Sequence, residues 1–347
     1  EFLCRRATAL LADARGKLAV YLNCLPEDVV YFPNPTTAIN MVARNLSLKS
    51  GDEILTTNHE YGAMDRTWRY ICKQTGALYV QQPIPLPMTT REEFVERFWA
   101  GVTERTRVIF LSHITSPTAL IFPVEEICRR AREAGLLCII DGAHAPGQIP
   151  LNLSALGADI YVGACHKWLM SPKGAAFLYA SPEVQKWLDP LVVSWGYEAE
   201  PDFSSGNQFV DYHEWQGTRD LSAFLSVPAA IEYQRQHQWE QVQERCHHLA
   251  QAARRRINAL TGLPPICPDN AGWFRQMFTA RLPNVEVKEL QQRLYNQYNI
   301  EVPLINWNGE SFIRVSVQCY NTPMDIDALV KALSELELVE AVSKPAG

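Results

Sequence analysis

Two side chains with complementary chemistry each follow an apolar run of the sequence. Asp141 ends the run Leu136–Ile140, and Lys167 comes shortly after the run 159–163, 26 residues further on (167 − 141). A carboxylate at the end of a buried parallel strand faces the edge where ligands bind. Lys167 has His, Trp and small residues as neighbours, so we expect it to be partly buried. Burial would favour the neutral, nucleophilic amine. Taken singly, Asp141 could cap a turn and Lys167 could be a surface lysine.

Together, the two residues predict a pyridoxal phosphate (PLP) cofactor. The lysine would hold the cofactor as a Schiff base. The carboxylate would keep the pyridine nitrogen protonated, so that the ring draws electrons from the substrate α-carbon. Once released by the substrate, Lys167 can move a proton at that carbon, which makes it a candidate catalytic residue.

The elements that would position this pair alternate between strand and helix. The pattern predicts a strand at Arg107–Ser112, a helix at Pro123–Glu133 and a fully apolar strand at Leu136–Ile140. Unbroken apolar strands that alternate with helices are typical of a parallel sheet covered on both faces. We therefore predict an α/β fold, with a large PLP-binding domain over residues 1–235.

Beyond Pro268 the order of elements changes. Strands are predicted at Phe274–Leu282, Ile300–Pro303 and Phe312–Gln318, with helices between and after them. This pattern indicates a smaller α+β domain over residues 236–347.

The composition narrows the class of protein. The chain has 347 residues and a formal net charge of −6, which gives no support for nucleic-acid or anionic-membrane binding. Nine irregularly spaced cysteines without a C-x-x-C favour neither a disulfide framework nor a metal site, and they predict a cytoplasmic protein. No apolar run reaches the ~18 residues of a membrane span. The sequence opens like the interior of a helix, and we expect residues to be missing upstream.

The run from Asp141 to Gly147, with His166-Lys167-Trp168 downstream, resembles the class V aminotransferase family of PLP-dependent fold-type I enzymes. Within that family the chain is similar to isopenicillin N epimerase-like proteins, from Asn34 to the C-terminal helix. The resemblance implies a mostly parallel seven-stranded sheet in the large domain and a small C-terminal α+β domain. It also implies a homodimer with shared active sites and an amino-acid substrate, whereas the N-terminal arm that the family normally places near the substrate pocket is short or absent in this sequence.

The resemblance also assigns cofactor contacts. Thr36 and Thr37 match the family's phosphate-binding turn, where N–H groups at a helix N-terminus attract phosphate. Tyr61 matches the aromatic residue that stacks on the pyridine ring. Ser116 falls where a polar side chain meets the ring hydroxyl, with Thr115 as its competitor. Without the family context, the turn could be plain helix capping and Tyr61 a core tyrosine.

Four further residues receive roles from the same resemblance. His144 would lie near the ring hydroxyl, and His166 would contact the phosphate or the Schiff-base region. An epimerase could use His144 or Tyr61 as a second acid or base. Thr218 would reach the phosphate of the neighbouring subunit. Arg314 would bind the substrate carboxylate through its planar fork. The chain departs from many relatives at Ala164, where they carry a phosphate-binding hydroxyl.

The reaction itself is left open by the sequence. Cysteine desulfurases carry a reactive cysteine on a mobile loop before the carboxylate-binding arginine, but no cysteine lies between Pro303 and Arg314. Strand alternation would place Cys319 on the opposite face, so a desulfurase is disfavoured. An epimerase-like reaction, a C–S lyase and an aminotransferase all fit. A non-catalytic PLP-fold binding protein is an alternative of another class, although such a protein would have little reason to keep Arg314. No G-x-G-x-x-G indicates a nicotinamide enzyme.

Overall fold

A seven-stranded sheet forms the centre of the fold. The computed structural model describes residues 2–200 and 204–336. The strand order is β1-β7-β6-β5-β4-β2-β3; β7 is antiparallel to its neighbours β1 and β6, and the other adjacent pairs are parallel. The predicted mostly parallel seven-stranded sheet is therefore confirmed. Its strands are β1 (Val29–Phe32), β2 (Glu53–Thr57), β3 (Leu78–Gln82), β4 (Thr106–Ser112), β5 (Leu137–Asp141), β6 (Ile160–Ala164) and β7 (Ala176–Ala180).

Helices connect these strands, and local sequence signals set several helix ends. The side chain of Asn34 accepts the Thr37 N–H and Pro35 takes the first helical position of α2, as the sequence predicts. Gly76 ends α3 with a φ of +77°, a conformation that glycine adopts without strain. The helices are α1 (Ala7–Leu22), α2 (Pro35–Asn45), α3 (Gly62–Thr75), α4 (Arg91–Trp99), α5 (Val124–Glu133), α6 (Leu153–Leu156), α7 (Pro182–Gln185), α8 (Gln208–Glu214), α9 (Ser222–Leu225) and α10 (Val227–Gln236), with a π-helix at Phe2–Arg6 and a 3-10 helix at Pro26–Asp28.

The register of the central strands aligns their carboxyl ends. Ser112, the last residue of β4, pairs with Asp141, the last residue of β5, and Asp141 pairs with Val162 of β6. Since the three strands run in parallel, the chain leaves all of them at one edge of the sheet. Asp141 therefore lies in the middle of that edge, and the flanking residues Ser112 and Val162 are buried.

A three-stranded antiparallel sheet forms a second core. Its order is β8-β10-β9, and a two-residue turn of Asn308 and Gly309, both with positive φ, joins β9 to β10. Such a turn suits the twist of a tight hairpin. The elements are α11 (Trp239–Thr261), β8 (Met277–Leu282), α12 (Val287–Tyr298), β9 (Leu304–Trp307), β10 (Glu310–Ser316) and α13 (Pro323–Glu335).

Two predictions in this region are wrong. Residues 300–303 form no strand, because the tight turn sets the register and Leu304–Trp307 is the segment that pairs with β10. In addition, β10 ends at Ser316, so strand alternation does not extend to Cys319. That cysteine lies exposed in a turn instead.

The chain divides into two compact units. The first comprises the described residues within Glu1–Ile84, Phe94–Ile114 and Pro123–His237, and the second those within Pro85–Glu93, Thr115–Phe122 and Gln238–Gly347. The predicted domain boundary between residues 235 and 236 stays a prediction. Within the described part of the chain, no helix combines the length and the apolar character that crossing a membrane requires.

A Gly142→Ala substitution tests how closely the carboxyl edge is packed. The added Cβ would lie 2.1 Å from the hydroxyl and ring of Tyr161, so we expect a loss of about 1–3 kcal/mol in the free energy of unfolding. The matched control is Gly16→Ala inside α1, where no atom lies within 4 Å of the new Cβ; it should be neutral or stabilise by up to about 1 kcal/mol. Denaturant unfolding measures both variants, and equal effects would contradict the packing argument.

Candidate active site

Asp141 is a buried carboxylate within the electrostatic reach of Lys167. Its Oδ1 accepts the Ala143 N–H at 3.0 Å. Burial is the largest influence on the carboxyl and raises its pKa, whereas the Ala143 N–H and the protonated form of Lys167 lower it. The structure therefore couples the two residues that the sequence singled out.

Lys167 is exposed, so the prediction that it is partly buried is wrong. The residue lies in the turn that follows the end of β6, beyond the buried interior of the sheet. Its Nζ lies 3.1 Å from Nε2 of His144. Burial therefore does not favour the neutral amine at this position.

The ring of His144 lies between Lys167 and Trp168. Besides the contact of Nε2 with the lysine, Nδ1 accepts the indole N–H of Trp168 at 3.2 Å. Asp141, His144 and Lys167 thus belong to one site at the carboxyl edge. Trp168 was quoted in the sequence motif but received no role, because a hydrogen bond between two motifs 24 residues apart cannot be read from the chain.

A hydrogen bond to the backbone determines which ring nitrogen of His166 carries the proton. Nδ1 lies 2.7 Å from the Ala175 carbonyl oxygen, which can only accept, so Nδ1 carries the hydrogen. Burial, the largest cause, lowers the pKa of the ring, as do the protonated form of Lys167 and the charge of Lys173, although the Ala175 hydrogen bond opposes this. The neutral ring therefore presents a lone pair at Nε2, and binding phosphate there would require protonation. The predicted phosphate contact stays a prediction.

At the start of α2, the N-cap residue Asn34 already accepts hydrogen bonds from part of the predicted phosphate-binding turn. The Thr37 N–H and hydroxyl both donate to the Asn34 side chain, at 2.8 and 3.1 Å. Pro35 has no N–H, whereas the N–H of Thr36 lies outside the cap. Both threonines are half-buried at the start of the helix that follows β1. Their contact with a phosphate stays a prediction.

Tyr61 lies at the N-terminus of α3 with about half of its surface exposed. It is thus not a core tyrosine, and its predicted stacking role stays open. The neighbouring His59 is fully buried, with Nε2 2.8 Å from the Ile84 carbonyl oxygen, and burial lowers its pKa to about 4. His59 therefore holds the segment in place as a neutral ring.

Glu60 is a second buried carboxylate, which sequence reasoning missed. Its Oε2 accepts the N–H and hydroxyl of Ser112 at 3.0 and 2.6 Å, and its Oε1 accepts the Thr57 hydroxyl at 2.6 Å. Burial raises the pKa of Glu60 to about 7 and outweighs these bonds, with a further contribution from the charge of Asp141. Because Ser112 is the register partner of Asp141, Glu60 links the Tyr61 segment to the central strands.

In the second unit, the structure brings Ser116 and Arg314 together. Nη1 of Arg314 donates to the carbonyl and hydroxyl oxygens of Ser116, at 2.6 and 3.0 Å. Thr115 is fully buried, and its hydroxyl bonds to Thr118 and to the Leu120 N–H. Thr115 is thus a structural residue, and the predicted roles of Ser116 and Arg314 stay predictions.

Thr218 lies exposed in the loop between α8 and α9 of the first unit. An exposed hydroxyl is accessible to a second chain, but its predicted contact with a neighbouring subunit stays a prediction. Ala164, which departs from the family pattern, is the last residue of β6 and is buried.

The donor set at the carboxyl edge fits PLP. A lysine amine can hold the aldehyde, and the second oxygen of the buried Asp141 carboxylate can accept from a protonated ring nitrogen. Such a cation would offset the burial that raises the pKa of Asp141. Among residues 2–200 and 204–336, no cluster of three or more His, Cys, Asp or Glu side chains could hold a metal ion.

Comparison with known proteins agrees with this chemistry. The family model described as aminotransferase class-V matches residues 3–329. An isopenicillin N epimerase of Amycolatopsis lactamdurans is 36% identical, covering 97% of this chain and 87% of the relative. A probable chloroplastic L-cysteine desulfhydrase of Arabidopsis thaliana is 25% identical, covering 94% and 74%. The solved structure of the cystine C-S lyase C-DES with its product cysteine persulfide superposes with a TM-score of 0.81 at 23% identity, covering 94% and 87%.

The raised pKa of Glu60 predicts a pH-dependent stability. Because the folded state holds this proton up to about pH 7 and the unfolded state releases it near 4.5, the contribution of Glu60 is complete below 4.5 and is lost as the pH rises through 7. In Glu60→Gln this loss disappears. The stability of the variant relative to wild type should therefore improve by on the order of 2–3 kcal/mol from pH 4.5 to 7.5.

Urea unfolding across this pH range measures the difference. Glu104→Gln, at an exposed glutamate of the same unit, is the control and should leave the profile unchanged. A parallel offset of the Glu60→Gln profile at all pH values would show that the carboxyl stays ionised.

Proposed function

The chain belongs to the aminotransferase class-V family of PLP-dependent enzymes, and we propose that it inverts the configuration at the α-carbon of an amino-acid substrate with PLP held by Lys167. The observation that carries this proposal is the arrangement of Lys167 beside His144 and within reach of the Asp141 charge. Lys167 supplies a nucleophilic amine that can also carry a proton, and Asp141 supplies a partner for the ring nitrogen.

Each residue has one task in the proposed reaction. When bound, the cofactor supplies a sink for the electrons of the substrate α-carbon. Lys167 Nζ takes the proton from one face of that carbon, and Tyr61 is the candidate group that delivers a proton to the opposite face. The Asp141 carboxylate stabilises the positive charge on the ring nitrogen. Arg314 binds the substrate carboxylate, and its guanidinium suits this because two of its N–H groups can match the two oxygens.

Inversion is favoured over cysteine desulfurisation by the hairpin before Arg314. Desulfurases need a mobile loop with a cysteine there, whereas β9 and β10 are joined by two residues, Asn308 and Gly309, and neither is a cysteine. The 36% identity to an isopenicillin N epimerase supports the same choice and makes isopenicillin N the first substrate to test.

The test is an assay of the purified chain with PLP in D₂O. With isopenicillin N we expect inverted product with deuterium at the α-carbon, detected by chiral chromatography and mass spectrometry. Lys167→Ala should lose this activity by at least a thousandfold, as expected for a proton carrier, because no other group replaces its amine. Lys173→Ala, at an exposed lysine in the same segment, should retain activity.

The other outcomes of that assay are equally informative. Sulfide release from L-cysteine or cystine without inversion would make the chain a C–S lyase, and a keto acid formed with an amino acceptor would make it an aminotransferase. Bound PLP without turnover of any of these substrates would favour the non-catalytic alternative.

We also propose that the enzyme is a homodimer. The segment Leu191–Tyr197 of the first unit exposes five large apolar side chains, and Val193 and Trp195 have 70% and 76% of their surface accessible. An apolar patch of this kind is typical of a protein interface. Thr218, predicted to reach a neighbouring subunit, is exposed as well. The cytoplasm remains the proposed location, because the cysteines from Cys24 to Cys319 are free thiols, as is usual in a reducing compartment.

A Val193→Glu substitution tests the dimer. A charge buried in an apolar interface is costly, so we expect wild type to have the mass of two chains and the variant to shift toward one at micromolar concentration. Val20→Glu is the matched control, since Val20 is 77% exposed on α1 and should leave the mass unchanged. Light scattering after size exclusion measures both, and a monomeric wild type would contradict the proposal.

A further inference from the structure

The hydrogen bonds of His144 determine where its proton lies. An indole N–H can only donate, so Nδ1 of His144 must accept from Trp168 and cannot carry a hydrogen. The neutral ring then bears its proton on Nε2. The group 3.1 Å from Nε2 is Nζ of Lys167, so the imidazole N–H points at the lysine nitrogen.

This proton position constrains the lysine. An ammonium group has three donors and no acceptor, so it cannot accept the Nε2–H of His144. If Lys167 were charged, the ring would have to accept at both nitrogens, which only an imidazolate can do. The two contacts therefore coexist only when the lysine nitrogen has a lone pair, which is its nucleophilic form.

We infer that Trp168 is a positioning residue, which holds His144 as an N–H donor toward Lys167 and thereby keeps the lysine nitrogen unprotonated. This assigns to hydrogen-bond direction the effect that the sequence had attributed to burial. It also means that His144 cannot serve as the proton acceptor on the second face of the substrate while its bond to Trp168 is intact.

The surroundings of Trp168 are built to keep the indole in place. The residue is buried, and its carbonyl oxygen accepts the side-chain N–H of the buried Gln234 at 3.1 Å. A Cβ at Gly147 would lie 2.3 Å from the same carbonyl group, so the turn that carries His144 packs directly on the Trp168 backbone. The histidine and the indole are thus held against each other from both chain segments.

The position of the His144 proton can be measured in the intact protein without adding a substrate. In protein labelled with ¹⁵N-histidine, long-range ¹H–¹⁵N spectra distinguish the two neutral tautomers and the imidazolium, and His144→Gln identifies the signal. In wild type we expect the Nε2–H tautomer throughout about pH 6–8. In Trp168→Phe, which keeps an aromatic ring but removes the donor, we expect a mixture of tautomers that becomes protonated in that range.

The state of the lysine is measured by competitive labelling of the protein, freed of PLP, with acetic anhydride near neutral pH. Loss of one hydrogen bond should lower the labelling of Lys167, relative to Lys173 in the same molecule, by about three- to tenfold in Trp168→Phe. Incorporation of 3-benzothienylalanine at position 168, an isostere with sulfur in place of N–H, should have the same effect without a change of shape.

Three results would overturn the inference: an Nδ1–H or charged His144 in wild type, unchanged spectra in both variants, or unchanged labelling. The catalytic consequence rests on the proposed function, but these readouts do not. A chain with the Nε2–H tautomer and no inversion activity would refute the epimerase proposal and leave the role of Trp168 intact. Inversion activity with the Nδ1–H tautomer would support the epimerase proposal and refute the role of Trp168.

Discussion

The carboxyl edge of the sheet is organised around the buried carboxylate of Asp141. A carboxylate removed from water is unfavourable unless charges and hydrogen bonds stabilise it, and here the Ala143 N–H donates to it. The parallel register fixes its place, since Ser112 and Val162 pair with it from either side. Packing against it requires Gly142, because any larger residue would meet Tyr161.

Hydrogen bonds from β4 and the residue after it hold the backbone around Asp141. His113, just after β4, donates its N–H to the Asp141 carbonyl oxygen at 2.9 Å, and its Nδ1 lies 2.9 Å from the hydroxyl of Tyr161. Glu60 holds Ser112 in turn. A shift of any of these buried groups would leave a polar atom without its partner, so these hydrogen bonds oppose displacement of the edge.

Two histidines near the lysine present opposite chemistry. His166 donates through Nδ1 to a backbone carbonyl and therefore presents a lone pair at Nε2. His144 accepts at Nδ1 from an indole and therefore presents an N–H at Nε2. The difference comes from a single partner on each ring, a pure acceptor in one case and a pure donor in the other.

The sequence by itself determined the features that are local or periodic. Unbroken apolar runs predicted the parallel strands, the Asn34-Pro35 pair predicted the start of α2, and strand ends predicted where Asp141 and Lys167 would meet. The strand at 300–303 was misplaced because apolar character does not reveal a register set by the Asn308-Gly309 turn. Tertiary structure alone decided that Lys167 is exposed, that Glu60 is buried against Ser112 and that Trp168 donates to His144. Burial and hydrogen-bond direction depend on which distant segments face each other, and a linear pattern carries no record of that.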